Sequence, residues 1–242
     1  MDAELAVSTS FVARVKRFFN DRVAYGNRSG RPRLIALTFD DGPYPIFTPL
    51  LLNELRSLGV PATFFFIGQD AKQWPELTQR TQRYGEEIAD HTLTHPNLDQ
   101  ESAPQVRAEI LQGRDAISAL ARDPAVLKFF RPPHGRYNVE TIRTAQSIGY
   151  TTVLWTDDGG DWRVAITPAR LAAHLERYAT APEIVLLHSG KLATIQMLPE
   201  VVKRFHAAGY RFVTVGTLLT LASPADLNHP LKQALRSERS LP

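Results

Sequence analysis

The chain has 242 residues, enough to bury a large core as one domain or as two small ones. Hydrophobic residues make up 43% and charged residues 22%, a globular balance that excludes a disordered or collagen-like chain. Lysine and arginine exceed the acids by only 28 to 25, a net charge of +3 that gives no nucleic-acid-binding arm, and the absence of cysteine excludes disulfides, thiolate ligands and a cysteine nucleophile.

In chain order, Phe11, Val12, Val15, Phe18 and Phe19 predict one face of a short amphipathic helix within an N-terminal extension, residues 1–33. Its interspersed Arg14, Lys16 and Arg17 are not the pattern of a signal peptide. The expectation for the sequence as written is therefore a cytoplasmic protein; removal of a leader would make it secreted or periplasmic. Asn27-Arg-Ser-Gly-Arg-Pro-Arg33 reads as a linker into the main domain, residues 34–222. Short apolar runs at 34–39, 62–67, 87–91, 128–131, 150–155, 184–188 and 210–215 predict strands buried on both faces, as in a parallel sheet.

Helical patterns fall between these runs. Leu51, Leu55 and Leu58 share a face ahead of Gly59, and Val106, Ile110, Ile117 and Leu120 repeat the spacing. Thr167-Pro168 is a cap and first-turn proline leading into Leu171, Leu175 and Tyr178. Ile195, Leu198, Val202 and Phe205 form a further stripe that ends at Gly209. Seven strands alternating with helices predict an α/β fold, either a barrel or an open doubly wound sheet. The polar stretch 223–242 reads as a C-terminal tail, and no apolar run reaches the length of a membrane span.

The polar residues with chemical potential cluster at the predicted strand ends: Asp40-Asp41, His91, Arg131, Asp157-Asp158 and His188. In parallel α/β folds the C-terminal rim of the sheet is where active sites assemble. Two adjacent carboxylates repel each other unless a cation compensates. If the strand continues through them they point to opposite sides, so that one could bind a metal and the other act as a base; Asp-Asp-Gly-Pro also suits a plain turn. His91 and His95, four apart, add to one aspartate a two-histidine, one-carboxylate set, which serves hydrolases and non-haem iron oxygenases alike. Arg131, ahead of Pro132-Pro133-His134-Gly135, could hold a carboxylate with its guanidinium, and His134 could be a further ligand or line the loop. Asp158-Gly159-Gly160-Asp161-Trp162 sets carboxylates beside an indole. His188 at the end of an apolar strand could be a general acid or a satisfied core histidine.

The order and spacing of these motifs, at 38–43, 91–95, 131–135, 158–162 and 186–188, resemble the polysaccharide deacetylases with a NodB-homology domain, carbohydrate esterase family 4. The likeness runs over residues 34–221. The resemblance implies a distorted (β/α)7 barrel. It implies a divalent metal, most often zinc with cobalt or another first-row metal as substitutes, held by Asp41, His91 and His95. It also implies Asp40 as general base, Arg131 holding Asp40, and Asp161 tuning His188 as general acid. His134 would supply an oxyanion-binding N–H, while Trp162 and Leu186 would line the acetyl pocket. The implied reaction removes N-acetyl groups from N-acetylglucosamine units of chitin-like oligomers or peptidoglycan. O-acetyl xylan and lipid-linked sugars are the alternative substrates, and a catalytically dead glycan-binding module is the rival of another class. His134 stands where many members carry an aromatic residue.

Overall fold

The computed structural model describes residues 33–120, 127–179 and 182–221. The expected N-terminal helix and the tail lie outside these residues, as does the linker apart from Arg33, which opens the first strand.

Among the described residues a single parallel sheet carries eight strand segments: β1 (Arg33–Asp40), β2 (Thr63–Phe66), β3 (Glu87–Asp90), β4 (Phe129–Phe130), β5 (Thr151–Thr152), β6 (Asp157–Asp158), β7 (Glu183–His188) and β8 (Tyr210–Phe212). Their order is β5-β4-β3-β2-β1-β7-β6, with β8 also paired to β1. The helices are α1 (Phe47–Leu58), α2 (Gly68–Gln73), α3 (Pro75–Arg83), α4 (Ala103–Ser118), α5 (Val139–Ser147), α6 (Pro168–Tyr178), α7 (Leu192–Ala207) and α8 (Val215–Leu221). No helix separates β5 from β6, so the eight segments make seven strand-helix units, and the fold is the distorted (β/α)7 barrel.

Alternation along the strands divides the core in two. Ile35, Leu37 and Phe39 of β1, with Phe64, Phe66, Ile88, Val185 and Leu187, pack outward against the helices. Leu34 and Ala36, with Phe65, Ala89, Ile184 and Val213, fill the barrel interior. Thr38 and Asp40 continue the inward series of β1. In-register pairing sets Asp40 level with His188 on β7 and with Phe65 on β2.

The helix signals behave as read. Gly59 closes α1 in the left-handed region at φ 67°, where a side chain would be strained. Thr167 accepts a hydrogen bond from the Arg170 N–H at the start of α6, with Pro168 at its first position. The run at 150–155 differs from expectation. It pairs as a strand only at Thr151 and Thr152, because the Val153 and Leu154 carbonyls accept from the Arg131 guanidinium at 3.2 and 3.1 Å. Pairing resumes at β6, so the barrel is open between β5 and β6, and Arg131 occupies the gap from within.

Candidate active site

Arg131, directly after β4, is fully buried in the barrel interior, with its guanidinium 4.0 Å over the Phe65 ring. Its Nη1 donates to Asp40 Oδ1 at 2.6 Å and to Thr38 Oγ1 at 2.8 Å, while Nε and Nη2 serve the two strand carbonyls. A buried guanidinium is tolerable only when its charge and donors are answered, and this fork answers them. Burial pushes the Asp40 carboxyl above its usual range, against the lowering pull of Arg131 and His188.

Asp41 leaves the strand at φ 69°, and this turn changes the expected geometry of the pair. Because β1 ends at Asp40, the two carboxylates do not diverge. Asp40 Oδ2 lies 3.6 Å and Asp41 Oδ1 3.8 Å from His91 Nε2, and Asp41 Oδ1 is 3.3 Å from His95 Nε2. The Ser189 hydroxyl donates to the carbonyls of Asp40 at 3.2 Å and Asp41 at 2.9 Å, fixing the turn from β7.

His91 Nδ1 meets the Arg131 carbonyl at 2.8 Å. A carbonyl only accepts, so Nδ1 carries the proton and the Nε2 lone pair faces Asp41 and His95. Burial, reinforced by the neighbouring His95, lowers the His91 pKa to about 3, and burial likewise lowers that of His95. Neutral imidazoles with free Nε2 lone pairs are the form in which histidine binds metals. The donor atoms of Asp41, His91 and His95 all lie within 4.8 Å of one another. Two imidazole nitrogens and one carboxylate oxygen, open on one side, fit a divalent first-row metal.

On the strand beside β1 and level with Asp40, His188 ends β7. Its Nδ1 and its backbone N–H both donate to Asp161, at 2.7 Å to Oδ1 and 2.7 Å to Oδ2. The Thr194 hydroxyl completes the buried carboxylate at 2.6 Å. Burial disfavours the charged ring, but the hydrogen bond and charge of Asp161, with those of Asp40 and Asp41, outweigh it and raise the His188 pKa. The Asp161 contact leaves Nε2 free. Leu186 lies two residues before His188 on the same strand face and is buried. Trp162 is 51% exposed, with its indole N–H on the Asp158 carboxylate. His134 sits in a turn at φ 56°, exposed, with its ring 4.5 Å from that of His95. Gly135 leaves no room for a side chain, since a Cβ there would fall 2.6 Å from the Trp155 ring.

The description "polysaccharide deacetylase" attaches to the family profile that matches residues 27–153. The chain belongs to that family. A peptidoglycan-N-acetylglucosamine deacetylase of Bacillus cereus is 36% identical over 77% of this chain and 88% of its own. A chitooligosaccharide deacetylase of Sinorhizobium fredii is 38% identical over 64% of this chain and 72% of its own. A family 4 carbohydrate esterase from Streptomyces lividans, solved with acetate, superposes with a TM-score of 0.70 at 31% identity, covering 74% of this chain and 91% of that one.

In this polysaccharide deacetylase the predicted residues Asp40, Asp41, His91, His95, Arg131, His134, Asp161, Trp162, Leu186 and His188 all gather at one end of the barrel. Sequence reasoning missed Thr38, Ser189 and Thr194. Thr38 could have been found by period-two alternation, since it shares the inward face of β1 with Asp40. The two others carried no signal, because hydroxyls are common at loop ends and helix starts.

Proposed function

We propose that this polysaccharide deacetylase hydrolyses the N-acetyl groups of N-acetylglucosamine units in a chitin-like oligomer or peptidoglycan, releasing acetate and a free amino sugar. The observation that carries the reading is the placement of two adjacent polar systems at one barrel mouth, where β1 and β7 pair in register and set Asp40 beside His188. Asp40 with the Asp41–His91–His95 set forms one, and His188 with Asp161 the other.

Asp41, His91 and His95 would hold the divalent metal, zinc being the best match to two imidazoles and a carboxylate. When bound there it supplies Lewis acidity, polarising the acetamide carbonyl and acidifying water. Asp40 takes the proton of the attacking water. Burial raises its pKa, which strengthens it as a base, while the Arg131 guanidinium pulls the other way and aims the carboxylate. The His134 N–H donates to the developing oxyanion. His188 gives a proton from Nε2 to the departing nitrogen, since an amine leaves poorly until protonated. Asp161 fixes the tautomer and stabilises the imidazolium, and Leu186 and Trp162 bound the space for the acetyl methyl. The intact base, ligand set and acid argue against a dead binding module.

The test is acetate release from chito-oligomers, peptidoglycan fragments, O-acetyl xylan and a lipid-linked N-acetylated sugar. Release from either of the first two, with new primary amines on the product, is the expected result. Release from O-acetyl xylan or the lipid-linked sugar alone would overturn the substrate reading.

A further inference from the structure

The three residues of the metal-type set are not fixed in the same way. Asp41 is held through its carbonyl by Ser189, and the His91 ring by its own bond to the Arg131 carbonyl. The His95 ring has no such anchor. Among the described residues its Nε2 approaches only other members of the set, His91 Nε2 at 3.2 Å and Asp41 Oδ1 at 3.3 Å, and the ring rests edge-on to His134. The place of the His95 imidazole is therefore set by its backbone, which is strained: Thr92 and His95 lie at φ 70° and 64°. For side chains other than glycine such conformations persist only where surrounding contacts enforce them.

Asp90 accepts the Thr92 N–H, Thr92 Oγ1 accepts the His95 N–H, and the Gly68 and Gln69 N–H groups of α2 hold the Thr92 and Leu93 carbonyls. The Leu93 and Thr94 N–H groups are held from α4. The Glu109 carbonyl accepts the Leu93 N–H at 3.1 Å. Its carboxylate accepts the Thr94 N–H at 2.9 Å and the Thr94 hydroxyl at 2.9 Å, one on each oxygen. The helix comes this close because residue 113 is glycine: a Cβ there would lie 2.6 Å from the Thr92 carbonyl carbon and 2.9 Å from the Leu93 nitrogen.

We propose that Glu109 is a positioning residue for His95: by holding Thr94 at two points, its carboxylate sets where the imidazole stands and so the affinity of the set for a divalent metal. An exposed pair of hydrogen bonds is ordinarily worth little to global stability. Here both are charge-assisted and act on the residue immediately before a ligand. Val106, Ile110 and Ile117 anchor α4 in the core, so removing the Glu109 carboxylate leaves the packing of the helix intact. Partners that orient metal ligands typically change affinity about 10- to 100-fold.

The inference rests on the metal reading of Asp41, His91 and His95, and the experiment separates the two. Zinc dissociation constants from competition with a chromophoric chelator, and melting temperatures of the metal-free proteins, are compared for wild type, E109A and E109Q. The expected result is a dissociation constant raised about tenfold or more in E109A, with the metal-free melting temperature little changed. E109Q, which keeps one acceptor oxygen, should fall between. Tight wild-type binding with E109A within twofold of it would overturn the role of Glu109 alone; if E109A does not fold, an unchanged constant in E109Q does the same. A wild-type protein that binds no zinc would overturn both readings.

Discussion

Asp40 and Asp41 are neighbours that the fold sends to different partners, Asp40 to a buried guanidinium and Asp41 to two neutral imidazoles. Asp40→Asn keeps the shape of the first and removes its capacity to take a proton. Steady-state kinetics should show kcat lowered about 10²- to 10⁴-fold, the usual worth of a general base, with zinc still bound. Asp161→Asn tests the other polar system. Because Asp161 helps raise the His188 pKa, the proton-donating form persists to higher pH than in free histidine, and activity should fall as pH rises through that value. Without the carboxylate the alkaline limb of kcat/KM should move to lower pH, and an unmoved limb would dissociate His188 from the acid step. These residues were legible because Asp, His and Arg at strand ends are conspicuous. Thr194 and Ser189, which complete Asp161 and the Asp40-Asp41 turn, were not, because only tertiary contact separates a functional hydroxyl from an ordinary one.

At the level of elements, continuous apolar runs showed where long strands lie, as in β1 and β7, and failed where polar side chains compete for backbone. The run at 150–155 looked like one strand, but the guanidinium of Arg131, just past β4, took the carbonyls of Val153 and Leu154. That competition joins residues 22 and 23 positions apart and leaves no periodic trace. Gly113 in α4 is a similar case, since a helix-interior glycine reads from sequence as a weakness. Gly113→Ala would gain about 1 kcal/mol in helix propensity. The added Cβ would meet Asp90 Oδ1 at 2.6 Å and the Thr92–Leu93 backbone, and overpacking of this kind costs about 1–3 kcal/mol. Calorimetry should therefore record a lower melting temperature, and a higher one would mean that the loop yields without cost.

Over the whole molecule, parallel βα units could be read from the alternation of elements, whereas the choice between barrel and open sheet could not be made from periodicity alone; the family resemblance implied the barrel. The N-terminal ends of its strands bury a carboxylate remote from the chemistry, that of Glu86, just before β3. Glu86 accepts the Ala62 N–H, and burial raises its pKa to about 7. A carboxyl with a raised folded-state pKa stabilises the fold fully below its unfolded value near 4.5, and that contribution is lost as pH climbs toward 7. The span amounts to roughly 3 kcal/mol at most. Urea unfolding of the metal-free protein should give a stability that declines from pH 5 to 8, and Glu86→Gln should flatten part of that slope; an identical slope would place the burial cost elsewhere.

The claim on which the account stands is that this barrel mouth removes acetyl groups from a glycan with the help of a metal held by Asp41, His91 and His95. Mass spectrometry of a chito-oligomer and a peptidoglycan fragment tests it most directly, using purified protein, protein stripped by chelator, and stripped protein given back zinc. The expected products have one or more acetyl groups replaced by hydrogen, a change lost on stripping and restored by zinc. Deacetylation that proceeds undiminished in the stripped protein would contradict it.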